Sequence, residues 1–254
     1  MGRSGGSSTK RDTVSAVGFS LALLGLWELL MQVTTIPRYI LPSPIDMFRE
    51  LFRSFPILLQ NMWVTLYETV AGFLLGVVLG VVLGIGIVYV RLLRTGFYPL
   101  LVGFQSVPKV AIAPLLVVWF GYGLLSKIAM SFLIAFFPLV VATVSGLSDV
   151  HLGLLELFRA MSASERQIFW KVRVPHALPY LLDGCKISLP LAVIGAIIGE
   201  FVGANAGLGN LILLSGSTLN TPLTFATLLV VTVMSIALFG LLVILEKFVW
   251  WRAL

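Results

Sequence analysis

"ELFRAMSASERQIFWKVRVPHALP", Glu156 to Pro179, is a basic, helix-compatible stretch between two apolar runs of about twenty residues each. It carries Arg159, Arg166, Lys171 and Arg173 against only Glu156 and Glu165. The rest of the chain explains why such a stretch stands out. Of its 254 residues, 59% are hydrophobic and 11% charged, whereas a soluble domain has about a quarter of its residues charged. The polar residues could not cover a water-facing globule, so the composition predicts an all-α polytopic membrane protein. The net charge of +6 does not indicate nucleic acid, because no basic stripe with interleaved aromatics occurs and the cations fall mostly between apolar runs.

A helix needs about twenty apolar residues to cross the hydrocarbon core. Six segments meet or approach that length: Val14–Val33, Trp63–Val90, Phe97–Phe120, Leu124–Leu147, Leu181–Val202 and Leu223–Trp250. Pro108, Lys109 and Pro114 interrupt the third, and Pro-freed backbone groups must be satisfied inside protein or along a water-filled cavity. With the N-terminus in the cytoplasm, the inner segments hold Arg3, Lys10, Arg11, Arg91, Arg94, Arg159, Arg166, Lys171, Arg173, Lys247 and Arg252, and the outer ones Arg38, Arg49, Arg53 and Lys127. Eleven against four puts both termini in the cytoplasm and requires an even number of spans. The domain reading is a flexible cytoplasmic tail over residues 1–13, then a membrane domain over 14–254, with a cytoplasmic loop at about 148–179. From about Pro44 a short amphipathic helix is expected along the membrane surface.

Gly72, Gly76, Gly80 and Gly84 recur at four-residue spacing in "AGFLLGVVLGVVLGIG", and Gly184, Ser188, Ala192 and Ala196 repeat the device, with a second ridge of Gly195, Gly199 and Gly203. Small residues along one ridge let another backbone approach closely, so their role is helix packing. Glu28, Glu68, Lys109 and Glu200 are ionisable residues at membrane depth, where each costs a few kcal/mol. Glu28 and Glu68 are expected to snorkel or pair, and Glu200 to be solvated near the outer end of its span. Lys109 either lines a cavity and attracts an anion or reaches an interface. Pro108, Lys109, Pro114 and Glu200 are the candidates for a translocation path.

No Ser/His/Asp set, acid–base pair or metal-ligand spacing occurs, "GANAGLG" is not followed by GK[ST], and Cys185 is the single cysteine. Catalysis and metal binding by this chain are therefore not expected. In the polar loop Asp149 can cap a helix, on which Leu154, Leu157 or Phe158, and Met161 share a face. Ser162 with Glu165 reads as a capping box opening a second helix that Pro175 ends. Such apolar side chains must pack on the membrane core or enter a partner's groove.

The loop resembles the "EAA" motif of permease subunits of binding-protein-dependent ATP-binding-cassette (ABC) importers: Glu-Ala-Ala, three residues, Gly, nine residues, Ile-x-Leu-Pro. Glu156 stands at the Glu, Leu157 and Phe158 at the alanines, Ser162 at the Gly, Val172 at the Ile and Val174-Pro175 at the Leu-Pro. "LPSP" (Leu41–Pro44), Pro108–Lys127, "FFPLVVATVSGL" (Phe136–Leu147), "ALPYLLDG" (Ala177–Gly184) and "GEFVGANAGLG" (Gly199–Gly209) resemble the nitrate, sulfonate and taurine (bicarbonate) branch.

That resemblance implies a type I importer fold in a bacterial inner membrane, working by alternating access. Two permease copies would form the path, two cytoplasmic ATPase subunits would bind ATP and Mg, and an external solute-binding protein would deliver the solute. No cofactor is implied in this chain. Glu156, Leu157, Phe158, Arg159, Ala160, Met161, Ser162 and Ser164 would form the coupling helix, with Phe158 and Met161 as anchors. The implied cargo is a small anion (sulfonate or taurine, nitrate, bicarbonate or an aromatic acid), the alternative a pyrimidine or other vitamin precursor. A stand-alone secondary transporter or channel would show matched repeats, and none is found.

Overall fold

The computed structural model describes residues 6–34, 37 and 39–250, all connected by helices and turns. Residues 1–5 of the expected tail, Arg38 and Arg252 lie outside the described residues. The helices are α1 (Gly6–Val33), α2 (Pro44–Arg53), α3 (Phe55–Tyr89), α4 (Leu93–Phe104), α5 (Lys109–Phe120), α6 (Leu124–Ser148), α7 (Leu152–Ala160), α8 (Glu165–Ile168), α9 (Val174–Gly203), α10 (Leu208–Ser217) and α11 (Thr221–Trp250). Helix α1 begins at Gly6, inside the stretch read as a tail.

Among the described residues four helices are long and apolar enough to cross a bilayer: α3, α6, the run Glu165–Gly203 and α11. The expected third span, Phe97–Phe120, is not one helix. Helices α4 and α5 meet at a 93° bend over residues 105–108, where Pro108 lacks the N–H that a continuing helix would use. The second expected boundary to move is Pro175. A five-residue π turn, Phe169–Arg173, joins α8 to α9, and Glu165–Gly203 forms one helix of 39 residues. The wider turn absorbs the ring that would otherwise stop the chain.

The core is a three-helix stack with α6 between α3 and α9. Glycines set its spacing. A Cβ on Gly72 or Gly84 would lie 2.5 Å from the side chains of Ser131 or Thr143, and one on Gly195 2.6 Å from the Cα of Ser131. Gly76 faces Leu139 and Ala135, Gly80 faces Leu139, and Gly184 faces Ala142. Ser188 is buried in the same seam. Apolar layers fill the rest, including Phe73, Ala135, Leu189 and Ala192 in one cluster and Ile87, Leu101, Phe137 and Val140 in another. Helix α2 is capped by Ser43, which accepts from the Asp46 N–H at 3.1 Å. Its Met47 and Leu51 pack with Leu58, Leu211 and Ala226, so one side of the expected surface helix is held by protein.

Candidate functional site

Three groups of polar residues stand out from the apolar bundle: the α7–α8 loop, a buried knot around Glu200, and a groove between α6 and α9.

The α7–α8 loop is a clip folded on its own small core. Leu155, Ile168, Val172 and Val150 are buried together, with Phe158 and Ala163 against them. Caps fix both helices, though not at the expected residues. His151, not Asp149, caps α7 by accepting from the Gly153 N–H at 3.2 Å. Asp149 instead ends α6 and accepts from the Tyr180 hydroxyl. Ser164 with Gln167, not Ser162 with Glu165, forms the capping box of α8. Ser162 cannot cap because its backbone is left-handed, φ 56°. It stands where the resembling motif has Gly, the residue that enters this conformation without steric cost.

The clip presents Leu154, Leu157 (55% exposed) and Met161 (72% exposed) in a row. The spacing 154, 157, 161 puts them on one helical face. Phe158 faces inward instead, so it is not the outward anchor that the sequence suggested. Glu156, Ala160 and Ser164 are exposed, and Arg159 pairs with Glu165 at 3.3 Å. The clip is tied to the bundle by Arg173, which donates to the Leu147 carbonyl at 2.7 Å and lies over the Tyr89 ring.

The second group corrects the reading of Glu200. It is 1% exposed, not solvated. Its carboxylate accepts from the Thr65 hydroxyl at 2.7 Å and from the Gly209 N–H. Thr65 in turn accepts from Leu208 N–H at 2.8 Å, and Asn61 accepts from Gly207 N–H at 2.7 Å. These N–H groups open α10, where no intrahelical partner exists, so three side chains complete the helix start. Gly207 has φ 114°, and a Cβ there would overlap the Glu200 carboxylate. Beside this knot Glu68 is fully buried and pairs with Lys127 at 3.6 Å, so Lys127 is not an exposed outer charge. Glu28 accepts from Gln32 and from the Ile45 N–H.

Lys109 is half-buried, with its ammonium 5.2 Å from the Phe137 ring centre. Pro108 and Pro114 are exposed at the α4–α5 bend. Lys109 and Glu200 thus have different partners and form no common site. The third group, which the sequence reading missed, is a groove of about 480 Å³. Gln105 from the bend, Pro138, Ala142 and Ser145 of α6, and Tyr180 and Asp183 of α9 line it. Asp183 pairs with Lys186 at 3.0 Å, and Lys186 with Glu246 of α11 at 2.8 Å. The available signal was a carboxylate three residues before a lysine at the edge of an apolar run. Among the described residues no group of three or more His, Cys, Asp or Glu could hold a metal ion.

Several known proteins are similar to this chain over most of its length. The chain is 37% identical over 230 residues to the formylaminopyrimidine transport permease protein ThiX of Halalkalibacterium halodurans, covering 90% of this chain and 92% of the relative. It is 36% identical over 236 residues to the riboflavin transport system permease protein RibX of Chloroflexus aurantiacus, covering 92% and 88%. The aliphatic sulfonates permease SsuC of Bacillus subtilis, whose assignment is itself putative, is 31% identical over 216 residues, covering 83% and 77%. An inward-facing structure of the MetNI methionine ABC transporter aligns with a TM-score of 0.58 and 26% identity, over 75% of this chain and 98% of that one. Residues 76–251 match the family described as binding-protein-dependent transport system inner membrane component. The chain has the type I importer fold and belongs to that family of ABC importer permeases.

Proposed function

We propose that two copies of this chain form the membrane path of an ABC importer, driven by two ATPase subunits that dock on the α7–α8 clip. ATP and Mg would be bound by those subunits, and an external solute-binding protein would deliver the cargo. The observation that carries this reading is the uncovered row Leu154, Leu157 and Met161 on a clip whose own core is already filled by Phe158. Apolar side chains displayed on a rigid helix at i, i+3 and i+7 fit a partner's groove. The cation distribution supports a cytoplasmic position for this clip and for both termini.

For the cargo, two similar permeases that align with about nine-tenths of this chain carry names of heteroaromatic compounds, formylaminopyrimidine and riboflavin. A small uncharged heteroaromatic vitamin precursor is therefore the reading we adopt. The cations of the spans also fit it, since Lys127 and Lys186 are paired with carboxylates and Lys109 lies over a ring. A small anion is the second reading, favoured by the likeness to SsuC.

The test is purification of the tagged chain from its native membrane in mild detergent. An ATPase subunit should co-purify and hydrolyse ATP faster with binding protein and a formylaminopyrimidine. Leu157→Asp and Met161→Asp should each remove the ATPase while the permease stays monodisperse. Retention of the ATPase by both variants would defeat the docking assignment, and stimulation by taurine alone would replace the cargo.

A further inference from the structure

We infer that the groove between α6 and α9 is the cargo-contacting part of the path, and that Asp183 sets its specificity by accepting a hydrogen bond from a neutral, N–H-bearing heterocycle. This rests on the importer reading above and adds which residue distinguishes cargo classes.

Four observations converge on the groove. Its volume, about 480 Å³, falls in the range of small-molecule sites, roughly 300–1,000 Å³. Asp183 stands at the clip-side edge of the apolar part of the run Glu165–Gly203, and its side chain is 69% exposed. A carboxylate at that edge faces water or another protein surface rather than lipid. Its Oδ1 accepts from Lys186, and among the described residues its other oxygen makes no hydrogen bond. Lys186 is closer to Glu246, at 2.8 Å, so two carboxylates share one ammonium and one negative charge is left over. Finally, Asp183 is the only charged residue lining the groove, and the other polar groups, Gln105, Ser145 and Tyr180, are neutral.

These features specify the cargo. A sulfonate would meet a carboxylate with no cation in the lining, a like-charge contact that works against entry. A planar heterocycle with an exocyclic amine gains a charge-assisted bond to Asp183 and lies against the apolar walls of Pro138, Ala142 and Ile187. Gln105, with both donor and acceptor, can answer a ring nitrogen or a carbonyl.

The experiment uses the assembled importer in proteoliposomes with labelled formylaminopyrimidine, and labelled ethanesulfonate, an anion with no amine, as the competing class. Asp183→Ala should lower formylaminopyrimidine uptake roughly tenfold or more, as expected for losing a bond to a charged acceptor, while complex yield stays within about twofold. Asp183→Asn, which keeps an acceptor oxygen, should fall between. Uptake in Asp183→Ala equal to wild type, or wild-type uptake of ethanesulfonate but not of the pyrimidine, would overturn the inference. A second measurement is independent of transport. In a Cys185→Ser background, Ser145→Cys should react with a membrane-impermeant thiol reagent added from the clip side, and Val78→Cys, on the exposed side of α3, should not. Failure of Ser145→Cys to react shows that the groove is closed by another surface, a second copy included, and overturns the assignment. Absence of any co-purified ATPase defeats the importer reading instead, and the labelling result still decides the groove.

Discussion

Replacing Gly195 by Ala should loosen the bundle, while the same change at Gly76 should not, although both glycines lie buried against α6. A Cβ on Gly195 would sit 2.6 Å from the Cα of Ser131 and 2.9 Å from the Met130 carbonyl oxygen. Carbon atoms in contact prefer about 3.5–4 Å, and the obstacle is backbone, which cannot rotate away. Helices α6 and α9 must part by about 1 Å, which stretches the Ser131 hydroxyl bond to the Ala192 carbonyl, now 3.0 Å, beyond hydrogen-bonding range. Overpacking costs about 1–3 kcal/mol. The lost bond adds about 0.6 kcal/mol in a membrane setting, and the better helix propensity of Ala returns about 1 kcal/mol. The net loss is therefore about 1–3 kcal/mol. At Gly76 the nearest atom is the flexible Cδ1 of Leu139 at 3.4 Å, so the propensity gain dominates and stability rises by up to about 1 kcal/mol. Unfolding of both variants in mixed detergent micelles, followed by circular dichroism and by the monodisperse fraction after heating, measures the difference. Equal stability of the two variants, or a Gly195→Ala protein more stable than wild type, would refute the packing argument.

Three further outcomes follow from particular contacts. Glu200→Ala leaves the Gly209 N–H without its acceptor and the Thr65 hydroxyl with only the Asn61 carbonyl at 3.3 Å, and should cost about 1–3 kcal/mol and expose the 203–208 turn to protease; unchanged proteolysis would contradict the role of the knot. Ser162→Gly should keep ATPase docking and add up to about 1 kcal/mol by relieving the left-handed backbone, whereas Ser162→Val should abolish docking; equal co-purification by both would remove the backbone explanation. Lys127→Met should destabilise by about 1–3 kcal/mol, because the buried Glu68 carboxyl is left without its partner. Adding Glu68→Gln should recover most of that loss, and a double variant as unstable as the single one would show that the pair is not the cause.

Much of the fold is legible in the sequence because the bilayer imposes simple lengths and the small-residue ridges impose contacts. The runs that became α3, α6, α9 and α11 were read within a few residues at most ends. The misplaced boundaries lie where proline was taken as a stop. Pro175 does not end its helix, since a π turn accommodates it, while the prolines near 108 mark a bend of 93° that hydropathy averages away. The polar loop itself is legible from its spacing, but the facing of its side chains is not. Leu157 and Phe158 are adjacent and both apolar, and only the tertiary contact of Phe158 with Leu155, Ile168 and Val172 decides which one turns outward. Glu200 was misjudged for a related reason, as nothing local reveals that α10 begins with N–H groups needing a carboxylate. Asp183 was passed over because one acid at the edge of an apolar run looks like a boundary until its neighbours across the groove are known.

The unbroken helix from Glu165 to Gly203 makes the clip and the far end of the bundle one mechanical part. At 1.5 Å per residue, 39 residues reach about 58 Å. A stiff rod of that length, held along α6 by glycines, acts as a lever: a small rotation imposed at α8 swings the opposite tip by a larger displacement. That tip carries Glu200 and, through it, the start of α10. Tilting the rod at one membrane face therefore moves a helix at the other without any relay of intervening side chains, and the knot around Glu200 is the rivet that makes the motion shared.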